Sequence, residues 1–194
     1  MAIEKYTTEA FILREYEQGE NDFVYKVWAK DFGIIFVLAR SIRKANAKLR
    51  PIAKKNNFVL MTLVKGKEVW RLTGIEEDKE EMLEGQYSSE VKKIIAESIN
   101  KFIEEKKTYK RLFEKLKSLL ILEDKKEMYE IKKLKNLVAY LVLVDAGYAD
   151  ARKIGVKDLD EYKSFGMRDF YTHFILNEKE VREHLVSVLE NSML

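Results

Sequence analysis

The chain of 194 residues contains no cysteine. Disulfide bridges and thiolate-held zinc are therefore excluded, and a reducing compartment is expected. Histidine is nearly absent too. The two present, His173 and His184, stand eleven residues apart, and lack the spacing that puts two imidazoles on one helical face for a metal. No GxxxxGK[ST] loop, GxGxxG turn or GxSxG elbow occurs, so the common phosphate-cradle, dinucleotide and nucleophile-elbow signatures are missing. Long apolar runs are also missing: the longest, Leu137–Val144, reads LVAYLVLV, far short of a bilayer span. The opening MAIEKYTTEAF has no signal-peptide apolar run. A soluble cytoplasmic protein without a membrane partner is expected.

The most informative absence is local. Acidic residues disappear entirely between Asp31 and Glu68. The same window holds Arg40, Arg43, Lys44, Lys48, Arg50, Lys54, Lys55, Lys65 and Lys67, in a chain whose Lys+Arg (36) and Asp+Glu (33) otherwise nearly cancel. Solubility favours interspersed signs. A carboxylate-free cationic stretch points instead to a local anion-binding surface.

What is present divides into two halves. The first 75 residues carry β-branched and aromatic runs: EAFILREY, DFVYKVWA, GIIFVLARSI, NNFVLMTLV and EVWRLTGI. In the second, Phe23, Tyr25 and Val27 alternate with Val24, Lys26 and Trp28. Lys65-Gly66-Lys67 makes a hairpin turn between the last two. The break between the third and fourth strands is the basic segment 41–56, with short-helix character in SIRKANAKL and a stop at Pro51, the only proline. Five short strands with an insert after the third is the order of an OB-fold barrel. Past the acidic stretch EEDKEEMLE (76–84), the period becomes helical. Val91, Ile94, Ile95, Ile99, Phe102 and Ile103 mark one helix, with Ser88 or Ser89 as cap. Tyr109 to Leu120 marks a second, capped by Thr108. A third, Lys126 to Asp145, is apolar all round in its second half and stops at Gly147. KDLDEYKSFG and MRDFYTHFIL read as shorter helices, and Asn177 with Glu180 as a capping box for the last. The expected architecture is a five-stranded OB-fold barrel over residues 1–76 and an all-α domain over 77–194.

On such a barrel the basic window reads as a nucleic-acid surface. Lysine and arginine release the counterions condensed on phosphates without reading sequence, and aromatic rings stack unpaired bases. The candidate residues are Lys26, Trp28, Arg40, Arg43, Lys44, Lys48, Arg50, Lys54, Lys55, Lys65 and Lys67. Trp28 and Trp70 are expected to be exposed. Glu15, Glu17 and Glu20 make the first hairpin acidic, so the path is placed on the segment after the third strand and on the Lys65/Lys67 turn. Acids such as Asp158, Asp160 and Glu161 fit helix N-termini better than a catalytic cluster, and neither an enzymatic activity nor a cofactor is expected.

Several motifs then fall in order: Thr8-Glu9-Ala10-Phe11-Ile12-Leu13-Arg14, Gly19-Glu20-Asn21-Asp22, Asp31-Phe32-Gly33, Ala39-Arg40 with the basic stretch, and Leu49-Arg50-Pro51. This series resembles the N-terminal domain of RecO, the bacterial recombination mediator, over roughly residues 6–75. Further on, Tyr140 to Tyr148 (YLVLVDAGY) is similar to that family's central helix with its Gly-Tyr end. The resemblance implies an OB-fold followed by helices. It implies binding of single- and double-stranded DNA, annealing of complementary strands and a place at the nucleoid. It also implies the partners RecR and the acidic C-terminal tail of the single-strand-binding protein SSB, with RecA loading downstream. The four-cysteine zinc motif of many RecO proteins has no counterpart in Ala149–Val156 or beyond, and the helical half is short for the family. Three other readings fit the residues alone: an RNA-binding OB module, an adaptor holding a peptide in its helical half, and a metal-dependent nuclease using helical carboxylates.

Overall fold

Alternation in the N-terminal third resolves into five strands: β1 (Lys5–Gln18), β2 (Asp22–Ala29), β3 (Gly33–Ala39), β4 (Phe58–Val64) and β5 (Trp70–Glu77). The computed structural model describes residues 4–42, 50–78, 88–123, 131–156, 161 and 166–191. The strands close into a barrel in the order β1-β2-β3-β5-β4. Only β3 and β5 run parallel, Leu38 opposite Arg71. This is the OB-fold expected from the strand order.

Closure depends on β1. Its first half pairs with β4, from Lys5 opposite Val64 to Phe11 opposite Phe58. Its second half pairs with β2, and the register shifts between Ile12 and Arg14. The extra residue, Leu13, is a bulge that bends the strand from one neighbour to the other. Tyr25, Val27, Val37, Ala39, Met61, Leu63 and Ile75 fill the interior, with Phe23 packed against them. That is the inward set the alternation in β2 predicts. Ile42, Ala53 and Ile52 join the same core, so apolar residues flanking residues 43–49 bind the basic segment to the barrel.

The chain divides into two compact units: residues 1–83 with 104–110, and residues 84–103 with 111–194. The sequence boundary at 76/77 leaves segment 104–110 with the helices, whereas it clusters with the barrel. Lys110 meets Asp31 at 2.7 Å, and Glu105 meets Lys26 at 3.3 Å. At Gly33, φ is +71°, and a Cβ would lie 2.5 Å from the carbonyl oxygen of Lys107. Only glycine allows both that backbone and that approach.

The second unit contains α1 (Ser88–Phe102), α2 (Lys110–Glu123, from Arg111 onward), α3 (Ile131–Asp145), a 3-10 turn (Ala151–Ile154), α4 (Met167–Leu176) and α5 (Glu178–Asn191). The predicted apolar faces are inside: Val91, Ile95 and Ile99 on α1, Leu112, Phe113 and Leu116 on α2. In α3, Leu137, Val138 and Tyr140 to Leu143 are all buried, as expected of a central helix. It ends in a Schellman motif: Gly147 N–H donates to Val144 O at 3.0 Å and Tyr148 N–H to Leu143 O at 2.8 Å. Residues 126–130, and all of KDLDEYKSFG except Glu161 and Gly166, lie outside the described residues.

One cap expectation is corrected. Helix α2 starts at Lys110, so Thr108 is one residue too early to be its cap. Asn177 stands at the junction of α4 and α5: its side-chain amide donates to the His173 carbonyl at 2.9 Å, and its own carbonyl accepts from Val181 N–H at 3.0 Å. The 3-10 turn is capped by Asp150, which accepts from the backbone N–H and guanidinium of Arg152. That pairing holds its carboxyl down at about 2.

Candidate nucleic-acid interface

Strand alternation places a set of side chains on the outside of β1, β2, β3 and β5. Arg14 lies opposite Lys26, and Lys26 opposite Phe36. One row on, Tyr16 lies opposite Val24, Val24 opposite Leu38, and Leu38 opposite Arg71. Partners in such rows have Cβ atoms about 5 Å apart. Phe36 is 37% and Tyr16 42% exposed, unusual for large apolar residues on a barrel. Arg14, Arg40 and Arg71 are exposed around them. This is the β2–β3 face on which OB-folds hold oligonucleotides. Sequence reasoning missed Arg14, Tyr16 and Arg71, and assigned Phe36 to strand filling. The apolar run Ala10-Phe11-Ile12-Leu13, buried throughout, was the available sign that alternation breaks there and that Arg14 and Tyr16 turn outward.

Two aromatic candidates are corrected. Trp28 does share the outer face with Lys26, but it is fully buried, as are its cross-strand neighbours Phe11 and Ile34. Phe11 packs on Phe58 with ring centroids 4.5 Å apart. The outer face is covered at that level, and Trp28 has no side open to a base. Trp70 is half-buried between Tyr6 and Phe32, with ring centroids at 5.5 and 4.7 Å. It fills the barrel rather than offering a platform.

The cations fall into groups. Arg40 follows β3 and is exposed. Val64 pairs with Arg71, which pairs with Leu38, so the exposed Lys65 of the β4–β5 turn, Arg71 and Arg40 follow one another across β4, β5 and β3. Lys67 is exposed on that turn beside Glu68. Lys26 is partly buried and ion-paired with Glu105. Arg43, Lys44 and Lys48 lie outside the described residues.

Arg50, Lys54 and Lys55 are exposed on the segment that returns to β4. The acidic hairpin holds this segment at both ends. Ser41 N–H donates to Asp22 Oδ1 at 2.7 Å, and Lys55 N–H to Glu15 Oε1 at 2.5 Å. Backbone bonds join Ile12 to Asn56 and Asn57 at 2.8 and 3.0 Å. Burial pushes the Tyr25 hydroxyl pKa up, and Glu15 adds to the rise while Arg50 opposes it. Glu15, one of the acids expected to repel phosphate from the hairpin, and Asp22 beside it thus position the cations of this segment.

Among the described residues no group of three His, Asp or Glu side chains gathers in metal-binding geometry, and no helix is long and apolar enough to cross a membrane. Within the helical unit, a cavity of about 540 Å³ is lined by Ile175, Leu176, Glu178, Lys179, Arg182 and Glu183. Leu176 is 76% exposed there.

Residues 1–77 match the family described as "Recombination protein O N terminal". No curated protein matches the chain.

Proposed function

We propose, from the match of residues 1–77 to the RecO N-terminal family, that the chain is a RecO-family protein and a non-enzymatic mediator of DNA repair and recombination. It binds single- and double-stranded DNA on the outer barrel face and brings complementary strands together. The observation that carries this reading is the pairing of exposed Phe36 and Tyr16 with Arg14, Arg40 and Arg71 on one face. The arginines neutralise phosphates, which lowers the repulsion between two strands. The rings stack unpaired bases without choosing among them. Lys65, Lys67, Arg50, Lys54 and Lys55 extend the positive field beyond the rows, and base pairing between the strands supplies the specificity. The protein acts at the nucleoid, without a cofactor.

The partners follow from the family: a RecR-like protein, and the acidic tail of SSB. For the tail, the groove with exposed Leu176 offers an apolar seat, lined by Lys179 and Arg182 together with Glu178 and Glu183. Recombinase loading then follows from delivering bare strand.

An annealing assay with complementary oligomers tests the proposal. The wild type accelerates annealing, and the double variant Arg40→Glu/Arg71→Glu loses at least about tenfold of that acceleration, because two phosphate contacts become two repulsions. An unchanged annealing rate in a folded double variant would remove this face from the account.

A further inference from the structure

Lys26 occupies the centre of the outer face, between Arg14 on β1 and Phe36 on β3, yet its ammonium is already taken. Glu105 Oε1 lies 3.3 Å away; the Lys26 side chain is 16% exposed and that of Glu105 55%. Glu105 comes from the irregular strap between α1 and α2, which clusters with the barrel although it is 79 residues further along the chain.

The strap does not depend on this ion pair for its place. The Lys107 carbonyl sits against Gly33, where a Cβ would intrude to 2.5 Å. Lys110 reaches Asp31 at 2.7 Å, and Asp31 also accepts from the Thr8 hydroxyl at 2.9 Å. Lys107 leans over the Tyr109 ring, 5.2 Å from its centroid. Backbone packing and a separate ion pair therefore hold a carboxylate against the central lysine of the DNA face. A carboxylate oxygen on an ammonium occupies the position a phosphate oxygen would take, and a single bridge whose carboxylate is 55% exposed is weak enough to exchange.

We infer that Glu105 is an internal competitor of the DNA backbone for Lys26. It withholds one phosphate contact and keeps the bound strand exchangeable. A mediator that anneals strands must release them, and a tethered anion on the binding face lowers affinity without altering the fold. The inference rests on the proposed DNA function of this face.

The test is the affinity of the full chain for a fluorescent single-stranded oligomer over a range of salt concentrations. Glu105→Gln is expected to tighten binding about three- to fivefold at low salt and to steepen the log–log salt slope by about 0.7, one added phosphate contact. In a Lys26→Ala background the same substitution is expected to give no gain, because the site that Glu105 blocks is gone. The neighbouring Glu104→Gln, an identical change in charge, is expected to fall well short of it. Equal gains from Glu104→Gln, or a full gain without Lys26, would mean that only the general field changed and would overturn the inference. So would unchanged binding of Glu105→Gln by a protein whose wild type binds normally. A wild type that does not bind the oligomer at all overturns the underlying reading instead.

Discussion

Replacing Trp28 by alanine is expected to destabilise the barrel by about 3–5 kcal/mol, the range for emptying a buried aromatic site, while leaving the DNA affinity of the remaining folded protein unchanged. Trp28 has no exposed surface, and its cross-strand neighbours Phe11 and Ile34 are buried with it. The removed indole leaves a void between residues already fixed by strand pairing, so the site can collapse only partly. Urea unfolding measures the loss. Oligomer binding below the unfolding transition separates the two roles, since a stacking tryptophan would lose affinity out of proportion to stability. The prediction reverses what the sequence alone suggested for this residue.

Phe36→Ala is expected to do the opposite. With a ring 37% exposed on the outer face, its removal costs the fold little. Loss of one stacked base is worth about 1–3 kcal/mol, or roughly five- to 150-fold in single-strand affinity. Double-stranded DNA, whose bases are already stacked on each other, is expected to lose much less. Tyr16→Ala follows the same pattern, and the two losses are expected to interact, because the rings stand one row apart. Measuring both variants against single- and double-stranded oligomers of equal length distinguishes stacking from a change in field. Equal losses on the two substrates would assign these rings to packing instead.

The contrast between Trp28 and Phe36 shows what a sequence can and cannot convey. Period-two alternation put Tyr25 and Val27 on one face and Lys26 and Trp28 on the other, and the structure keeps that division, with Tyr25 and Val27 in the barrel core. Alternation says which face a side chain takes, but not whether that face is covered. Closure of the barrel and the bulge at Leu13 arise from long-range pairing, so the outward turn of Arg14 and Tyr16 was visible only as a break in pattern at FIL. Helical periodicity was more telling, because it is local: MRDFYTHFIL is α4 from end to end. Caps were less legible: Thr108 falls one residue short of α2, and Asn177 bonds both the helix before it and the helix after it.

The acidic hairpin and the strap were hidden for the same reason. Glu15, with Glu17 and Glu20, looked like a repulsive lip, and Asp22 was not counted with them. Glu15 and Asp22 nevertheless accept backbone N–H groups of Lys55 and Ser41, a role that no nearby residue announces. Glu105 reaches Lys26 from 79 residues further along the chain. The cationic window itself was plain, because the exclusion of carboxylates from residues 32–67 needs no structure to be seen. What the fold adds is its sorting: Arg40 and Lys65 fall beside Arg71 at the outer rows, and Arg50, Lys54 and Lys55 on the segment held by Glu15.

The central claim is that this barrel face exists to neutralise polynucleotide phosphates, and its most direct test is the salt dependence of single-strand affinity in the wild type. With Arg14, Arg40, Arg71 and Lys65 each releasing counterions at about 0.7 per contact, the log of the affinity is expected to fall linearly with the log of salt at a slope of about −3, alike for oligomers of different sequence. An affinity that stays flat from low to physiological salt would contradict the account.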